Sequence, residues 1–265
     1  MNIALIIEYD GTEYYGWQIQ NRGGAVAEDL PTVQGMIERA LSELFKEKIE
    51  VIGCSRTDAG VHAKGYCANF SVSNTSIPPE RVAAAIGHLL PKDISVKKSF
   101  EAADSFHARF DTKAKTYRYL FYTAEQSCPG LNRYAWHVKS SLDLEKMQKA
   151  VSYFIGTHQF DAFMASGGSS VPTTERTIYS SAVTEISQSP YSCTGDNEKS
   201  HLYCFEVTGD GFLYNMVRIM TGTAVYAGNG KILPENVPQI IAGKDRRNAG
   251  ITAPPHGLYL YRVMY

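Results

Sequence analysis

The sequence predicts an α+β fold made of two similar halves, each with the element order β-α-β-β-α-β. Two observations lead to this prediction. Strand-like and helix-like apolar patterns follow that order once in the first hundred residues, and a longer version follows in the rest. The 265 residues, 44% hydrophobic and 20% charged, suffice for two cores. We expect the halves to be 1–103 and 104–265, flanking a central cleft.

In the first half, short apolar segments predict four strands, at residues 2–9, 48–55, 65–72 and 94–100. Apolar residues at helical spacing predict two helices, one with Val33, Ile37, Ala40, Leu41 and Leu44, the other after Pro79 with Val82, Ile86 and Leu89. This order is that of the ferredoxin-like fold, an antiparallel sheet with its helices on one face.

The second half repeats the plan with a longer insertion. Strands are predicted at 114–123, 177–187, 201–210 and 257–265, and the polar segment 188–200 is predicted to be a hairpin loop. Asp143 can cap a helix with Leu144, Met147, Val151 and Phe154, and a second helix is predicted over 212–228.

Charge and cysteine content narrow the function classes. A net charge of -1 gives no global field for nucleic acid, so any RNA contact must come from local clusters of Arg and Lys. Five scattered cysteines without CxxC spacing fit reduced thiols and predict neither disulfide nor metal. The N-terminus turns polar after seven residues, which favours a strand over a signal peptide and predicts a cytoplasmic protein.

The segment GCSRTDAGVHA, residues 53–63, is the strongest candidate for chemistry. Asp58 and Gly60 are also common turn residues, so an ordinary strand connection remains an alternative. A carboxylate held on such a turn at the mouth of a cleft can act as nucleophile or base. Arg56 could keep that carboxylate ionised, or could reach outward to a phosphate.

Five segments, in order, resemble the tRNA pseudouridine synthase A family. They are GCSRTDAGVHA, YDGTEYYGWQIQ (9–20), FHARFDTKAKTYRYLFY (106–122), GFLYNMVRIMTG (211–222) and APPHGLYLYRVMY (253–265). The resemblance covers essentially the whole chain. It departs from the family's usual small residues only before RTD, where Cys54 and Ser55 stand. It implies a cofactor-free enzyme that isomerises uridine on the 3′ side of the tRNA anticodon stem-loop, at tRNA positions 38, 39 or 40, and a homodimer.

The resemblance also implies four catalytic roles. Asp58 is the nucleophile that enables cleavage of the uridine N-glycosidic bond, and Tyr117 stacks on the target base and assists proton transfer. Arg218 pairs with Asp58, which agrees with the cost of burying an arginine without a partner. Arg56 enters the space left by the extruded nucleotide.

Basic and aromatic residues near these motifs form a predicted RNA-binding set, as docking on the backbone with base stacking requires. The set comprises Phe106, His107, Ala108, Arg109, Phe110, Lys113, Lys115, Arg118, Thr174, Glu175, Arg176, Thr177 and Ile178.

Two other functions remain open from the residues. A nucleoside N-glycosidase would use Asp58 to cleave and release the base, but the matched motifs supply no second carboxylate. A non-catalytic RNA-binding module on RRM-like sheets would need an RNP1 pattern, and neither predicted central strand has one.

Overall fold

The computed structural model describes residues 1–22, 25–26, 30–73, 75–168, 171–186 and 200–265. These residues form two compact units, Met1–Lys113 with Tyr259–Tyr265, and Ala114–Leu258. This grouping differs from a single division at residue 104, because the end of the chain returns to the first unit. Across the described ranges, every helix is too short or too polar to cross a membrane.

The strands are β1 (Asn2–Tyr9), β2 (Asn21–Arg22), β3 (Ala25–Val26), β4 (Ile52–Gly53), β5 (His62–Ser71), β6 (Ile94–Ala102), β7 (Ala114–Thr123), β8 (Trp136–Val138), β9 (Gly156–Gln159), β10 (Glu175–Glu185), β11 (His201–Gly209) and β12 (Leu258–Met264). The α-helices are α1 (Val33–Phe45), α2 (Val82–Ile86), α3 (Leu144–Ser152), α4 (Met216–Gly228) and α5 (Val237–Gly243). Strand pairing is mostly antiparallel, so the predicted α+β class is confirmed.

β5 organises the first unit. It pairs antiparallel with β1 along most of its length, and β1 pairs in turn with β6. On its other edge, β4 pairs antiparallel with Ala68 and Asn69, and β12 pairs parallel with His62 and Ala63. The beginning of β5, directly after the RTDAG turn, therefore has neighbours on both sides.

The second unit has the strand order β7-β11-β10-β9, with β8 parallel to the other edge of β7. Asp143 caps α3 as predicted, because its carboxylate accepts the Lys146 N–H at 3.1 Å. α4 is buried along most of its length. A Cβ added to Gly222 in α4 would lie 1.9 Å from the Ile251 carbonyl oxygen, so the helix and this segment can approach closely only with glycine there.

Several predicted elements are shorter than expected. The helix predicted after Pro79 ends at Ile86, before Leu89, and α3 ends at Ser152, before Phe154. The strand predicted at 48–55 is reduced to β4, because the Ile49 N–H donates to Ser42 Oγ at 2.9 Å and the Val51 N–H donates to Glu38 Oε1 at 2.8 Å instead of to a ladder. The helix predicted over 212–228 begins at Met216, since Asn215 has a left-handed φ of 60°.

Two other expectations concern strand connections. The strand predicted for the end of the second half is β12, and it pairs with β5 of the first unit. β10 and β11 pair antiparallel, as a hairpin would. The predicted loop between them lies outside the described residues, apart from its final residue, and Cys193 lies outside them as well.

Candidate active site

The predicted catalytic turn, Arg56–Gly60, joins β4 to β5. Arg56 is exposed, Thr57 is buried and Asp58 is half-buried. The turn closes with a hydrogen bond from the Val61 N–H to the Asp58 carbonyl oxygen at 3.1 Å, and Gly60 takes a φ of 76° that glycine adopts without strain. The sequence therefore presents a carboxylate on a tight turn, as predicted.

The segment 10–17, which follows β1, holds this turn by its backbone. The Trp17 N–H donates to the Thr57 carbonyl oxygen at 3.1 Å, and the Gly60 N–H donates to the Tyr14 carbonyl oxygen at 3.3 Å. A Cβ on Gly16, whose φ is 87°, would lie 2.4 Å from the Thr57 oxygen. The two backbones are therefore packed directly against each other on either side of Asp58.

His62 holds the beginning of the same segment. Its Nδ1 accepts the Gly11 N–H at 3.0 Å and lies 3.1 Å from Asp10 Oδ1, and its ring stacks on Tyr259 at 4.7 Å. Sequence reasoning did not predict the contact between His62 and Gly11. The signal available was their position within the matching segments, which does not by itself identify a contact.

Tyr117 lies on β7 in the second unit. Its ring is buried and meets the Phe212 ring edge-to-face at 5.0 Å. The nearby Tyr119 hydroxyl donates to the Pro254 carbonyl oxygen at 2.7 Å, and burial raises the pKa of Tyr119. Of these two tyrosines, the sequence singled out only Tyr117.

Arg218 lies in the first turns of α4 with its guanidinium fixed by local groups. Its Nε donates to the Ala253 carbonyl oxygen at 2.7 Å, and its Nη1 donates to Asn215 Oδ1 at 2.6 Å. The Ala253 N–H donates back to the Arg218 carbonyl oxygen at 3.2 Å. The planar guanidinium is therefore oriented before any substrate binds.

Residues 106–110 form a tight turn that presents an aromatic and basic surface. The Phe110 side chain is 75% exposed, stacks on the His107 ring at 4.2 Å and lies under the Arg109 guanidinium at 5.8 Å. Ala108, in contrast, is buried, and Phe106 packs on Tyr265. Stacking on a nucleobase and contact with a phosphate are both chemically available here.

Two buried asparagines that sequence reasoning missed support this turn. Asn2 Nδ2 donates to the carbonyl oxygens of Ala103 and Phe106, both at 2.9 Å. Asn69 Oδ1 accepts the Ala108 N–H at 2.9 Å, and Asn69 Nδ2 donates to Asn2 Oδ1 at 3.0 Å. The two amides thus satisfy the backbone of the turn from inside the core.

The other predicted RNA contacts differ in exposure. Lys113 is exposed and Lys115 is half-buried, whereas Arg118 pairs with Glu206 at 2.6 Å. Thr174 Oγ1 donates to Gln159 and Asp161, and Thr177 pairs through its hydroxyl with Thr157. Glu175 is exposed, Arg176 donates to the Thr173 carbonyl oxygen at 3.0 Å, and Ile178 is buried.

The predicted site residues therefore divide between the two units. The first unit contains Arg56, Asp58, residues 106–110 and Lys113, and the second contains Lys115, Tyr117, Arg118, residues 174–178 and Arg218. In the part of the chain that the structure describes, no group of three His, Cys, Asp or Glu residues is arranged to bind a metal ion.

Comparison with known proteins gives the family. A family model described as tRNA pseudouridine synthase matches residues 5–111 and 150–265. tRNA pseudouridine synthase A of Acetivibrio thermocellus is 47% identical over 264 residues, which cover 100% of this chain and 99% of the relative. tRNA pseudouridine synthase A 2 of Clostridium perfringens is 45% identical over 265 residues, with coverage of 100% and 99%. The chain belongs to the tRNA pseudouridine synthase A family.

Proposed function

We propose that Asp58 is the nucleophile with which this chain performs its family's reaction, the isomerisation of uridine to pseudouridine in tRNA. One observation carries the assignment: the turn around Asp58 is fixed at Thr57 and Gly60 by backbone hydrogen bonds, while Arg56 is exposed and Asp58 half-buried. A rigid turn that leaves a carboxylate within reach of a substrate suits a nucleophile.

The reaction balances without a second substrate. The bond between N1 of the base and C1′ of the ribose breaks, the base turns over, and a bond forms between C5 and C1′. The proton lost from C5 is matched by a proton gained at N1, so no oxidant or reductant is consumed. We therefore expect the chain to need no cofactor.

Tyr117 and Arg218 are proposed to act with Asp58. Edge-to-face packing on Phe212 orients the Tyr117 ring, which would stack on the target base while its hydroxyl assists proton transfer from C5. The guanidinium of Arg218, oriented by Asn215 and Ala253, would pair with the carboxylate of Asp58 and keep it ionised.

Arg56 is proposed to take the place of the extruded nucleotide. Its side chain is exposed, and its neighbours in the chain are held on both sides, so it can reach outward from a fixed position. Extrusion is required because the glycosidic bond of a stacked nucleotide is hard to reach.

tRNA docking is proposed to use exposed members of the predicted set together with the half-buried Arg176. Arg109, Phe110 and Lys113 offer charge and stacking on the first unit, and Arg176 offers charge on the second. The buried members, Ala108 and Ile178, would support the turn and the strand rather than touch RNA with their side chains. The expected target is the 3′ side of the anticodon stem-loop.

The ferredoxin-like plan is also an inference. Its support in the first unit is the element order β1, α1, β4, β5, α2, β6, together with the strand order β6-β1-β5-β4. In the second unit, β7, α3, β10, β11 and α4 follow the same order. A homodimer is proposed because the family resemblance implies one, and sedimentation equilibrium of the purified chain tests it. A cytoplasmic location is proposed as well.

The direct test of function is to incubate the chain with unmodified tRNA and map pseudouridine by chemical labelling and sequencing. We expect pseudouridine in the anticodon stem-loop and no free uracil. Release of free uracil would indicate an N-glycosidase, and tRNA that is bound but unchanged would indicate an RNA-binding module.

A further inference from the structure

Two buried tyrosine hydroxyls hold the catalytic turn at the residues on either side of Arg56. The Tyr66 hydroxyl accepts the Ser55 N–H at 3.4 Å and donates to the Ser55 carbonyl oxygen. The Tyr9 hydroxyl forms a hydrogen bond with Thr57 Oγ1 at 2.8 Å. Each tyrosine hydroxyl thus forms a hydrogen bond with a residue next to Arg56 and does not point into solvent.

The two rings lie in an aromatic cluster that fixes where the hydroxyls point. Tyr66 stacks on Trp17 with ring centroids 3.9 Å apart, and Tyr9 lies 5.8 Å from Tyr66 and 6.2 Å from Trp17. All three side chains are buried. A Cβ on Gly53 would lie 2.2 Å from the Tyr66 hydroxyl and 2.5 Å from Trp17 Nε1, so the cluster also closes against the strand before the turn.

Core packing alone does not require these hydroxyls, because phenylalanine would fill the same volume without placing a polar atom in the core. The hydroxyls instead form hydrogen bonds with Ser55 and Thr57. The turn is therefore held by directional bonds immediately before and after Arg56, and one residue before Asp58.

We propose that Tyr66 and Tyr9 are positioning residues that set the position of Arg56 and Asp58 for the isomerisation. This inference rests on the proposed catalytic roles of Arg56 and Asp58. Displacement of a reacting group by about 1 Å can cost on the order of 100-fold in rate, whereas affinity that depends on distant phosphate contacts is unaffected. Loss of either hydroxyl should therefore slow chemistry more than it weakens binding.

The test compares Tyr66→Phe and Tyr9→Phe with a matched control, Tyr122→Phe. The buried Tyr122 hydroxyl also accepts a backbone N–H, from Cys128 at 2.9 Å, and meets Asn132 Oδ1 at 3.2 Å, but neither partner belongs to the proposed catalytic machinery. Each variant is measured for tRNA dissociation constant, single-turnover rate at saturating tRNA and free energy of unfolding.

We expect Tyr66→Phe to lower the single-turnover rate by about 10- to 100-fold, with a tRNA dissociation constant within about twofold of wild type. Tyr9→Phe should lower the rate by about tenfold, and this loss should vanish in a Thr57→Val background, where its partner hydroxyl is already gone. Tyr122→Phe should lose a similar amount of stability and keep its rate.

Wild-type rates in both Tyr66→Phe and Tyr9→Phe would overturn the proposal, as would an equal rate loss in Tyr122→Phe. If Tyr66→Phe does not fold, Tyr9→Phe and the Thr57→Val cycle still decide the matter. A failure of the proposed function itself is recognised separately, because the wild-type chain would then form no pseudouridine.

Discussion

Substitution of Gly16 by alanine tests whether close backbone contact with the segment 10–17 fixes the position of the catalytic turn. Gly16 has a φ of 87°, and a Cβ there would lie 2.4 Å from the Thr57 carbonyl oxygen and 3.2 Å from the Asp58 carbonyl carbon. Both are backbone atoms, which cannot rotate away as a side chain would. The substitution must therefore move the turn that carries Asp58.

The expected cost has two parts. A left-handed φ costs a non-glycine residue about 1–2 kcal/mol, and the forced shift of packed backbone adds about 1–3 kcal/mol. Gly16→Ala should therefore lose about 2–5 kcal/mol of unfolding free energy and most of its single-turnover rate. Gly230→Ala is the matched control, since Gly230 has a φ of 80° but a Cβ there would meet nothing within 4 Å.

Chemical denaturation and single-turnover pseudouridine formation are measured on both variants. Gly230→Ala should lose only the conformational part, about 1–2 kcal/mol, and remain active. Equal stability losses in the two variants, or full activity in Gly16→Ala, would show that close contact with this segment does not hold the turn.

Three further predictions concern tRNA docking, proton transfer and the half-buried acid Glu38. Arg109→Ala should reduce the slope of log tRNA affinity against log salt concentration by about one unit, because one phosphate contact is lost. Lys48→Ala is the control: it removes an exposed lysine that pairs with Glu50, and the slope should not change. Tyr117→Phe should bind tRNA normally yet fail in single turnover, because the ring remains and the hydroxyl is gone. Burial raises the pKa of Glu38, so ionisation of this carboxyl costs folding stability. The stability of wild type relative to Glu38→Gln should therefore be greatest below the usual glutamate pKa of about 4.3 and should fall as pH rises through the raised pKa. Denaturation curves of both proteins across this pH range measure the difference.

Much of the fold could be predicted because its signals are local. The continuous apolar run of β1, the helical spacing in α1 and the cap at Asp143 each depend on a few neighbouring residues. The strand at 48–55 was overestimated because side chains of Ser42 and Glu38, on the preceding helix α1, take the hydrogen bonds that a ladder would use. The spacing of apolar residues in the sequence does not show that side chains compete for these backbone N–H groups.

The residues of the candidate site also fall into two groups, those that a local sequence motif suggests and those that only the folded structure reveals. Asp58 and Arg56 could be proposed as site residues because the RTDAG turn is a compact motif that resembles the family's. Tyr66, Asn69 and His62 could not, since each acts through contacts that appear only when the chain is folded. On sequence alone, Tyr66 is one of seventeen tyrosines, and its contact with Ser55 appears only in the folded chain.

The central claim is that Asp58 is the nucleophile, and single-turnover pseudouridine formation by Asp58→Asn tests it most directly. The substitution keeps shape while removing the charge, so the variant should fold and bind tRNA but lose on the order of a thousandfold or more in rate. Asp143→Asn is the control, because asparagine caps a helix about as well as aspartate, and it should remain active. Pseudouridine formation at a rate near wild type by folded Asp58→Asn would contradict the account.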